Sequence, residues 1–328
     1  MKKLIGLAIE STAHTFSISL LNNSKLIKEK QPMYTKEQGG IIPVEAAEHH
    51  NKVKDILLKD LLYQTKISWS DIDFITISSG PGLAPSLSVG TRFAKELAIK
   101  HKKPIIGVNH LCAHLEIGKL LTPAKDPVFV FVSGANTQII AHEGGKYRVF
   151  GETLSSGLGN ALDKFGRSIG LGFPAGPKIE QLAKNGKYIE LPYTVKGMDI
   201  EPSGIITAAI QKFKKGEKIE DLCFSIQETL FSMLVEVTER ALAHTQKKEA
   251  LLIGGVAANK RLIQMLETMC KERSNKFYFV PIEYSGDNSY MIGYLGLLSY
   301  KAGLKDDPKT LDFNPNWRID QLETPWIK

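Results

Sequence analysis

A repeated order of short strands is the feature that most constrains how this chain can fold. Residues 4–10, 14–21 and 26–31 have the apolar composition of strands and are separated by short polar turns. The same order recurs at residues 128–133, 136–142 and 147–151. Segments with helical apolar spacing and further short strands follow each repeat, so strands alternate with helices. The pattern predicts an α/β fold of two related, duplicated lobes.

The predicted lobes divide the chain into ranges of similar size. We expect the N-terminal lobe to span residues 1–126, with the C-terminal segment 293–328 packing on it, and the C-terminal lobe to span 127–292. Residues 192–218 are rich in proline, glycine and lysine, and are expected to form a loosely structured region.

Composition and charge describe an ordinary globular protein. The 328 residues are 43% hydrophobic and 23% charged, and the length suggests about two domains. A net charge of +7 is compatible with a polyanionic partner, although lysine-rich surfaces are common without one. The odd number of cysteines, three, without CxxC spacing favours a reducing compartment, and no apolar run approaches a membrane span. We expect a cytoplasmic protein without a membrane segment.

Two histidines four residues apart offer the clearest candidate for metal chemistry. His110 and His114 lie in an apolar run, and at helical spacing both imidazoles project from one face. Such a pair can bind zinc, iron or a similar ion, but it is also common as plain structure. Candidate phosphate-binding loops elsewhere in the chain and a late acidic residue, Asp287, make a functional role for the pair more plausible.

Two glycine-containing turns are candidates for phosphate binding. The loop 133–138 follows a strand with small residues whose backbone N–H groups can approach a phosphate, although a simple hairpin turn would look the same. The strand 251–253 leads into Gly254 and Gly255 and then a helix, a geometry that suits a bound nucleotide. The turn is neither a dinucleotide fingerprint nor a P-loop. Asp163 and Glu180 lie near further glycines and could contact a ribose or cap a helix.

Taken together, these segments resemble the TsaD-type family of tRNA threonylcarbamoyladenosine synthesis transferases, in its archaeal or eukaryote-like form. The resemblance runs through essentially the whole chain. It rests on segments in the same order as in the family: residues 6–10, 45–50, 80–83, 109–116, 133–138, 162–164, 176–180 and 254–259. It implies the two-lobed architecture of actin, sugar kinases and 70-kDa chaperone ATPases, with nucleotide and metal in the cleft.

The resemblance also implies roles for individual residues. His110, His114 and Asp287 match residues that bind one iron or zinc ion. Glu10 is a candidate for a catalytic polar role near the donor. The residues expected to bind the adenine nucleotide (threonylcarbamoyl-AMP, ATP or AMP) and the substrate are Phe131, Val132, Ser133, Gly134, Ala135, Asn136, Asp163, Gly176, Glu180, Gly254, Gly255 and Asn259.

The implied reaction moves a threonylcarbamoyl group from threonylcarbamoyl-AMP to the exocyclic amine of the adenosine beside the tRNA anticodon. The implied partners are tRNA, a small kinase and a small dimerising subunit, with the kinase fused downstream in some archaeal relatives. The chain departs from the family at Phe131, where many members have a metal-proximal Tyr, and at Ala135, which replaces a glycine.

Three other functions fit parts of the pattern. A zinc peptidase of the zincin type needs a Glu directly after its first histidine, and Leu111 stands there instead. A small-molecule kinase of the same fold would use the phosphate loops but leave the histidine pair unexplained. A nucleotide-dependent scaffold within a larger assembly remains the non-catalytic alternative.

Overall fold

A computed structural model describes residues 3–35 and 40–327 of the chain. Within them, contacts group the chain into two compact units, one made of residues 3–35, 40–117 and 287–327, the other of residues 118–286. The domain boundaries expected from the sequence stay a prediction. Among the described helices, none is long and apolar enough to cross a lipid bilayer.

The secondary structure alternates as the sequence pattern predicts. The strands are β1 (Ile5–Glu10), β2 (Ser17–Asn22), β3 (Lys25–Lys30), β4 (Phe74–Gly80), β5 (Ile105–Asn109), β6 (Val128–Val132), β7 (Thr137–Glu143), β8 (Lys146–Glu152), β9 (Val195–Lys196), β10 (Asp199–Ile200), β11 (Glu249–Ile253) and β12 (Lys276–Phe279). The α-helices are α1 (Pro43–Thr65), α2 (Ala84–His101), α3 (His110–Leu121), α4 (Leu158–Ser168), α5 (Gly176–Ala183), α6 (Ser203–Lys214), α7 (Ile219–Thr245), α8 (Lys260–Glu272) and α9 (Ser289–Lys301).

The first unit is built on a mixed sheet of strand order β3-β2-β1-β4-β5. The strands β1, β2 and β3 form an antiparallel meander, and β4 and β5 continue the sheet in parallel with β1. One face packs on α1 and α2 through a core that includes Leu7, Ile9 and Phe93. On the other face, α9 lies against β1, β2 and β4. Helices therefore cover both faces of this sheet. Successive strand residues point to opposite faces, so in β1 and β4 both sets of side chains are buried.

The second unit repeats this topology. Its sheet has the order β12-β11-β6-β7-β8, in which β6, β7 and β8 form the antiparallel meander and β11 and β12 run parallel to β6. The long helix α7 packs on β6 and β7 over a core that includes Val128, Val130 and Val132. The two sheets are therefore topological copies, as the repeated strand pattern predicts.

Two parts of the second unit differ from the sequence prediction. The region 192–218, expected to be loosely structured, contains the helix α6 and the short strands β9 and β10. Burial of Ile205, Ile206 and Ala209 stabilises this helix. Three lysines at its end make the segment look polar in the sequence, so the apolar face was not recognised. The strand β12, equivalent to β5, was not predicted because it is a partly exposed edge strand of four residues.

Candidate metal centre and nucleotide-binding loops

The candidate metal centre lies in the first unit, at the carboxyl ends of parallel strands. β1 ends at Glu10, and β5 ends at Asn109 immediately before α3 begins. The Asn109 side chain accepts a hydrogen bond from the Cys112 backbone N–H at 3.0 Å, which caps the first turn of α3. The helix therefore starts directly at His110. This places the histidine pair at the carboxyl ends of the strands, where ligands of α/β sheets usually bind.

Asp287 closes a three-residue donor set with the two histidines. Its Oδ1 lies 3.3 Å from Nε2 of His110 and 3.4 Å from Nε2 of His114, and the donor atoms all lie within 4.8 Å of one another. Two tetrahedral ligands about 2.1 Å from one zinc ion are about 3.4 Å apart. The two distances from Asp287 match this separation. Two imidazole nitrogens and a carboxylate oxygen are ligand types that suit zinc or iron.

Glu10 and Thr12 hold the His110 ring from its other nitrogen. The Glu10 carboxylate is fully buried, and its Oε2 accepts from Nδ1 of His110 at 3.0 Å. Its Oε1 accepts from both the backbone N–H and the hydroxyl of Thr12, at 2.6 and 2.5 Å. A carboxylate behind a histidine fixes its tautomer and turns the opposite nitrogen toward the ion. Thr12 carries no sequence signal for this role and was not predicted, and the catalytic role predicted for Glu10 stays a prediction.

The charges of this cluster shift its proton affinities in opposite directions. Burial opposes a charged His110 ring, but the carboxylates of Glu10 and Asp287 outweigh burial and raise the pKa of His110 to about 10. For His114, burial prevails over the hydrogen bond to Asp287 and lowers the pKa. Burial disfavours the Asp287 carboxylate, yet His110 and His114 hold its pKa well below the usual range. The surrounding groups therefore favour a proton on His110 over one on His114.

The C-terminal segment braces the helix that carries the histidines. The Asn109 amide donates to the backbone carbonyl of Trp317 at 3.1 Å, and the Trp326 indole donates to Glu116 of α3 at 3.0 Å. These two bonds lie on either side of the histidine pair in sequence. Nothing in the local pattern of the tail predicts them, because they join residues about two hundred positions apart.

Hydrogen bonds between its first and last residues hold the loop 133–136 of the second unit in a tight turn. Ser133 N–H donates to the carbonyl of Asn136 at 2.8 Å, and Asn136 N–H donates to the Ser133 hydroxyl at 3.1 Å. Within the described residues, no hydrogen bond uses the N–H of Gly134 or Ala135. Two neighbouring amide donors without a protein partner are what an anion-binding turn requires.

The turn after β11 lies against the end of β6. Gly254 has a φ of +103°, and a Cβ added there would lie 2.5 Å from the Val132 carbonyl oxygen, so only glycine fits. Gly255 then opens a short 3-10 helix that ends at Ala258. Val132 is fully buried and Phe131 is 2% exposed. The structure therefore brings the Gly254 turn and the strand that precedes the loop 133–136 together.

Three other predicted nucleotide residues make hydrogen bonds that shape the second unit. Asp163 accepts from Ala175 N–H at 2.7 Å, just before Gly176 begins α5, and burial raises its pKa. Glu180 accepts from the N–H of Lys260 at 2.9 Å. Asn259 caps α8 by accepting from two of its backbone N–H groups, and its amide donates to Gln227 at 3.0 Å. These contacts are structural, and the nucleotide contacts expected of the same side chains stay predictions.

Comparison with solved structures supports the fold. HypF of Thermococcus kodakarensis superposes with a TM-score of 0.64 at 15% identity, over 94% of this chain and 49% of that protein. An activator of 2-hydroxyisocaproyl-CoA dehydratase from Clostridium difficile, solved with ADPNP, gives 0.52 at 12% identity, over 93% and 99% of the two chains. At these identities the likeness concerns the fold alone, and it is that of the duplicated actin-like ATPase lobes.

Sequence identity to several curated proteins is far higher than to these solved structures. The tRNA N6-adenosine threonylcarbamoyltransferase of Thermococcus sibiricus is 53% identical over 98% of this chain and 100% of its own length, and that of Thermococcus kodakarensis is 50% identical over the same shares. A probable bifunctional tRNA threonylcarbamoyladenosine biosynthesis protein of Thermoplasma acidophilum is 49% identical over 99% of this chain, which spans 61% of that longer protein.

A family model matches most of the chain. It covers residues 25–294, a range that contains the histidine pair, Asp287, the loop 133–136 and the Gly254 turn. Together with relatives at about half identity over nearly the full length, this match shows that the chain belongs to the TsaD family, the tRNA N6-adenosine threonylcarbamoyltransferases.

Proposed function

We propose that this chain transfers a threonylcarbamoyl group from threonylcarbamoyl-AMP to the exocyclic amine of the adenosine beside the anticodon of tRNA. Family membership supplies the reaction class. The observation that carries the proposal is the convergence of His110, His114 and Asp287, which provide a donor set at the spacing of one ion. A kinase that only moved phosphate would not need this set.

The chemistry explains why the site combines these parts. An aromatic exocyclic amine is a poor nucleophile, so the acyl donor must carry a good leaving group, and a mixed anhydride with AMP provides one. A bound iron or zinc ion would act as a Lewis acid on a carbonyl or phosphoryl oxygen of the donor. Glu10 and Thr12 would orient His110 from behind, while His114 and Asp287 complete the donor set.

The second unit is proposed to bind the adenylate. The N–H groups of Gly134 and Ala135 are available to a phosphate, and the Gly254 turn would let a nucleotide lie against backbone. In this proposal Asp163, Glu180 and Asn259 hold the turns around α5 and α8 in place and also contact the nucleotide. Direct contacts of Asn136, Gly176 and Gly255 with the nucleotide belong to the same proposal.

The peptidase alternative finds little support in the geometry. Leu111 occupies the position of a zincin's general base. Glu10, a carboxylate in contact with His110, is fully buried and accepts three hydrogen bonds, so it is not available to activate a water molecule.

Partners follow from the same proposal. tRNA is the acceptor, and the positive net charge of the chain suits a polyanion. Since some relatives are named bifunctional threonylcarbamoyladenosine biosynthesis proteins, we propose that this chain works with a small kinase, and with a small dimerising subunit. A cytoplasmic location accords with a tRNA substrate.

The proposal is tested by incorporation of labelled threonine into tRNA in an extract depleted of this protein. Added wild-type chain is expected to restore incorporation, and the variant His110→Ala is not. Equal restoration by both would remove the histidine from the chemistry. No restoration by the wild-type chain, in an extract proven competent with the protein it lacks, would overturn the transferase proposal.

A further inference from the structure

Asp287 reaches the metal centre from a point 173 residues beyond His114 in the chain. The two histidines are placed by one capped helix, but Asp287 stands just before α9 and has no such local support. Its position depends on how the start of α9 is attached to the first sheet. That attachment runs through Glu29 of β3, a residue that neither the sequence motifs nor the metal chemistry singled out.

The Glu29 carboxylate gathers four donors on one oxygen. Its Oε1 accepts from the Ser289 backbone N–H at 2.6 Å, the Ser289 hydroxyl at 2.7 Å and the Tyr290 N–H at 3.1 Å. The Ser17 hydroxyl of β2 donates to the same oxygen at 2.8 Å. Ser17 also accepts from Ser289 N–H at 3.0 Å, and both serines are fully buried. A carboxylate at a helix N-terminus is electrostatically favourable, so this is a strong tie.

The tie adds to the cap that the helix has from its own residues. Asn288 already caps α9, because its side chain accepts from Met291 N–H at 2.9 Å. Glu29 instead joins the first turn of α9 to the strands β2 and β3, which belong to the same sheet as Glu10. Gln31 adds a second anchor by donating to the backbone carbonyl of Asp287 itself at 2.5 Å.

The rest of α9 is also seated closely on this sheet. A Cβ added at Gly296 would lie 1.9 Å from the Thr76 hydroxyl oxygen of β4, so the helix backbone touches the strand there. The helix thus has little freedom to slide along its length. Glu29 and Ser17 fix the first turn of α9. Asp287 lies two residues before that turn, so its position relative to the sheet is fixed as well.

We infer that Glu29, supported by Ser17, is a positioning residue for the metal ligand Asp287. The inference rests on the proposed metal centre. Glu29 does not touch the ion or the substrate; it holds the Asp287 carboxylate at the distance from both histidines that one ion requires. Loss of a group hydrogen-bonded directly to a metal ligand lowers metal affinity by about 10- to 100-fold. Glu29 acts on Asp287 through the backbone of Ser289 and Tyr290, so the expected loss lies at the lower end of that range.

Zinc affinity of the full chain, measured by competition with a chromophoric chelator, tests the inference. Glu29→Ala is expected to weaken zinc binding about tenfold, and Glu29→Gln, which keeps an acceptor oxygen, to recover most of that loss. Asp73→Asn is the matched control, since Asp73 also ties a backbone N–H of this sheet, that of Ile5 at 2.7 Å. It should bind zinc like the wild type. Circular dichroism verifies folding, and Ser17→Ala, with a severalfold loss expected, replaces Glu29→Ala if that variant does not fold.

The double variant Glu29→Ala/Asp287→Ala separates positioning from general weakening. If Glu29 acts through Asp287, its removal changes zinc affinity little once Asp287 is gone. The positioning role of Glu29 would be overturned, with the metal centre left standing, by either of two results. One is equal zinc affinity of the wild type and Glu29→Ala; the other is a loss from Glu29→Ala that is as large in the Asp287→Ala background as in the wild type. Equal affinity of wild type and His114→Ala would overturn the metal centre and this inference with it.

Discussion

The buried histidine His50 on α1 should make the first unit lose stability as the pH falls. Its ring is fully buried, and its Nε2 lies 3.0 Å from the carbonyl of Ala13, in the loop that also contains Thr12. Burial lowers the pKa of His50 from 6.5 to about 4, although the hydrogen bond to Ala13 partly opposes this. The neutral ring therefore ties α1 to the loop that supports Glu10 and His110.

The sign of the effect follows from proton binding in the two states. Between pH 6.5 and pH 4 the unfolded chain protonates His50 while the folded chain does not, so stability falls as the pH falls through this range. The full shift corresponds to about 3 kcal/mol at roughly 1.36 kcal/mol per pKa unit. Between pH 7 and pH 5 the loss is about 2 kcal/mol.

Urea unfolding followed by tryptophan fluorescence measures this loss. All three tryptophans of the chain lie in the unit that carries His50, so the signal reports on that unit. The variant His50→Gln keeps an N–H that can reach Ala13 but cannot titrate. Its loss of unfolding free energy between pH 7 and pH 5 should be about 2 kcal/mol smaller than that of the wild type. His49→Gln, a less buried neighbour whose pKa burial also lowers, should show a smaller change. Identical pH dependence of wild type and His50→Gln would refute the reasoning.

Three further predictions concern the metal centre, the nucleotide turn and the C-terminal brace. Glu10→Gln should weaken zinc binding about 10- to 100-fold in chelator competition, because the carboxylate that orients His110 is lost, and an unchanged affinity would exclude that role. Gly254→Ala should reduce AMP binding, measured by calorimetry, at least about tenfold, since a methyl group cannot fit at this positive φ; wild-type affinity would show that the turn does not bind nucleotide. Trp326→Phe should lower the unfolding free energy of the first unit by about 1–2 kcal/mol in urea, through loss of the hydrogen bond to Glu116, and an unchanged midpoint would contradict the brace.

The repeat of strands was readable from the sequence because buried strands and polar turns leave a local pattern. The strands β1–β3 and β6–β8 fall where that pattern puts them, and the shared topology of the two sheets follows from it. The strand β12 escaped prediction because a short edge strand buries too little apolar surface to leave a pattern. The helix α6 escaped because the lysines at its end mask its buried face.

The candidate metal ligands could be predicted from the sequence only in part. Helical spacing alone indicates that His110 and His114 share a face, since it depends on local geometry. The spacing could not find Asp287, which the family resemblance supplied, because a residue so distant in sequence is brought near only by the folded sheet and α9. Nor could it find Thr12 or Glu29, whose roles depend on hydrogen bonds between elements that no sequence periodicity reports.

The most direct test of the account is transfer from purified threonylcarbamoyl-AMP to tRNA, by this chain together with its proposed partners, before and after removal of bound metal. Chelation is expected to abolish transfer by the wild type, and added zinc or iron to restore it, whereas Asp287→Ala should transfer under neither condition. Undiminished transfer by the chelated wild type, or by Asp287→Ala, would contradict the claim that His110, His114 and Asp287 form the metal centre of a threonylcarbamoyltransferase.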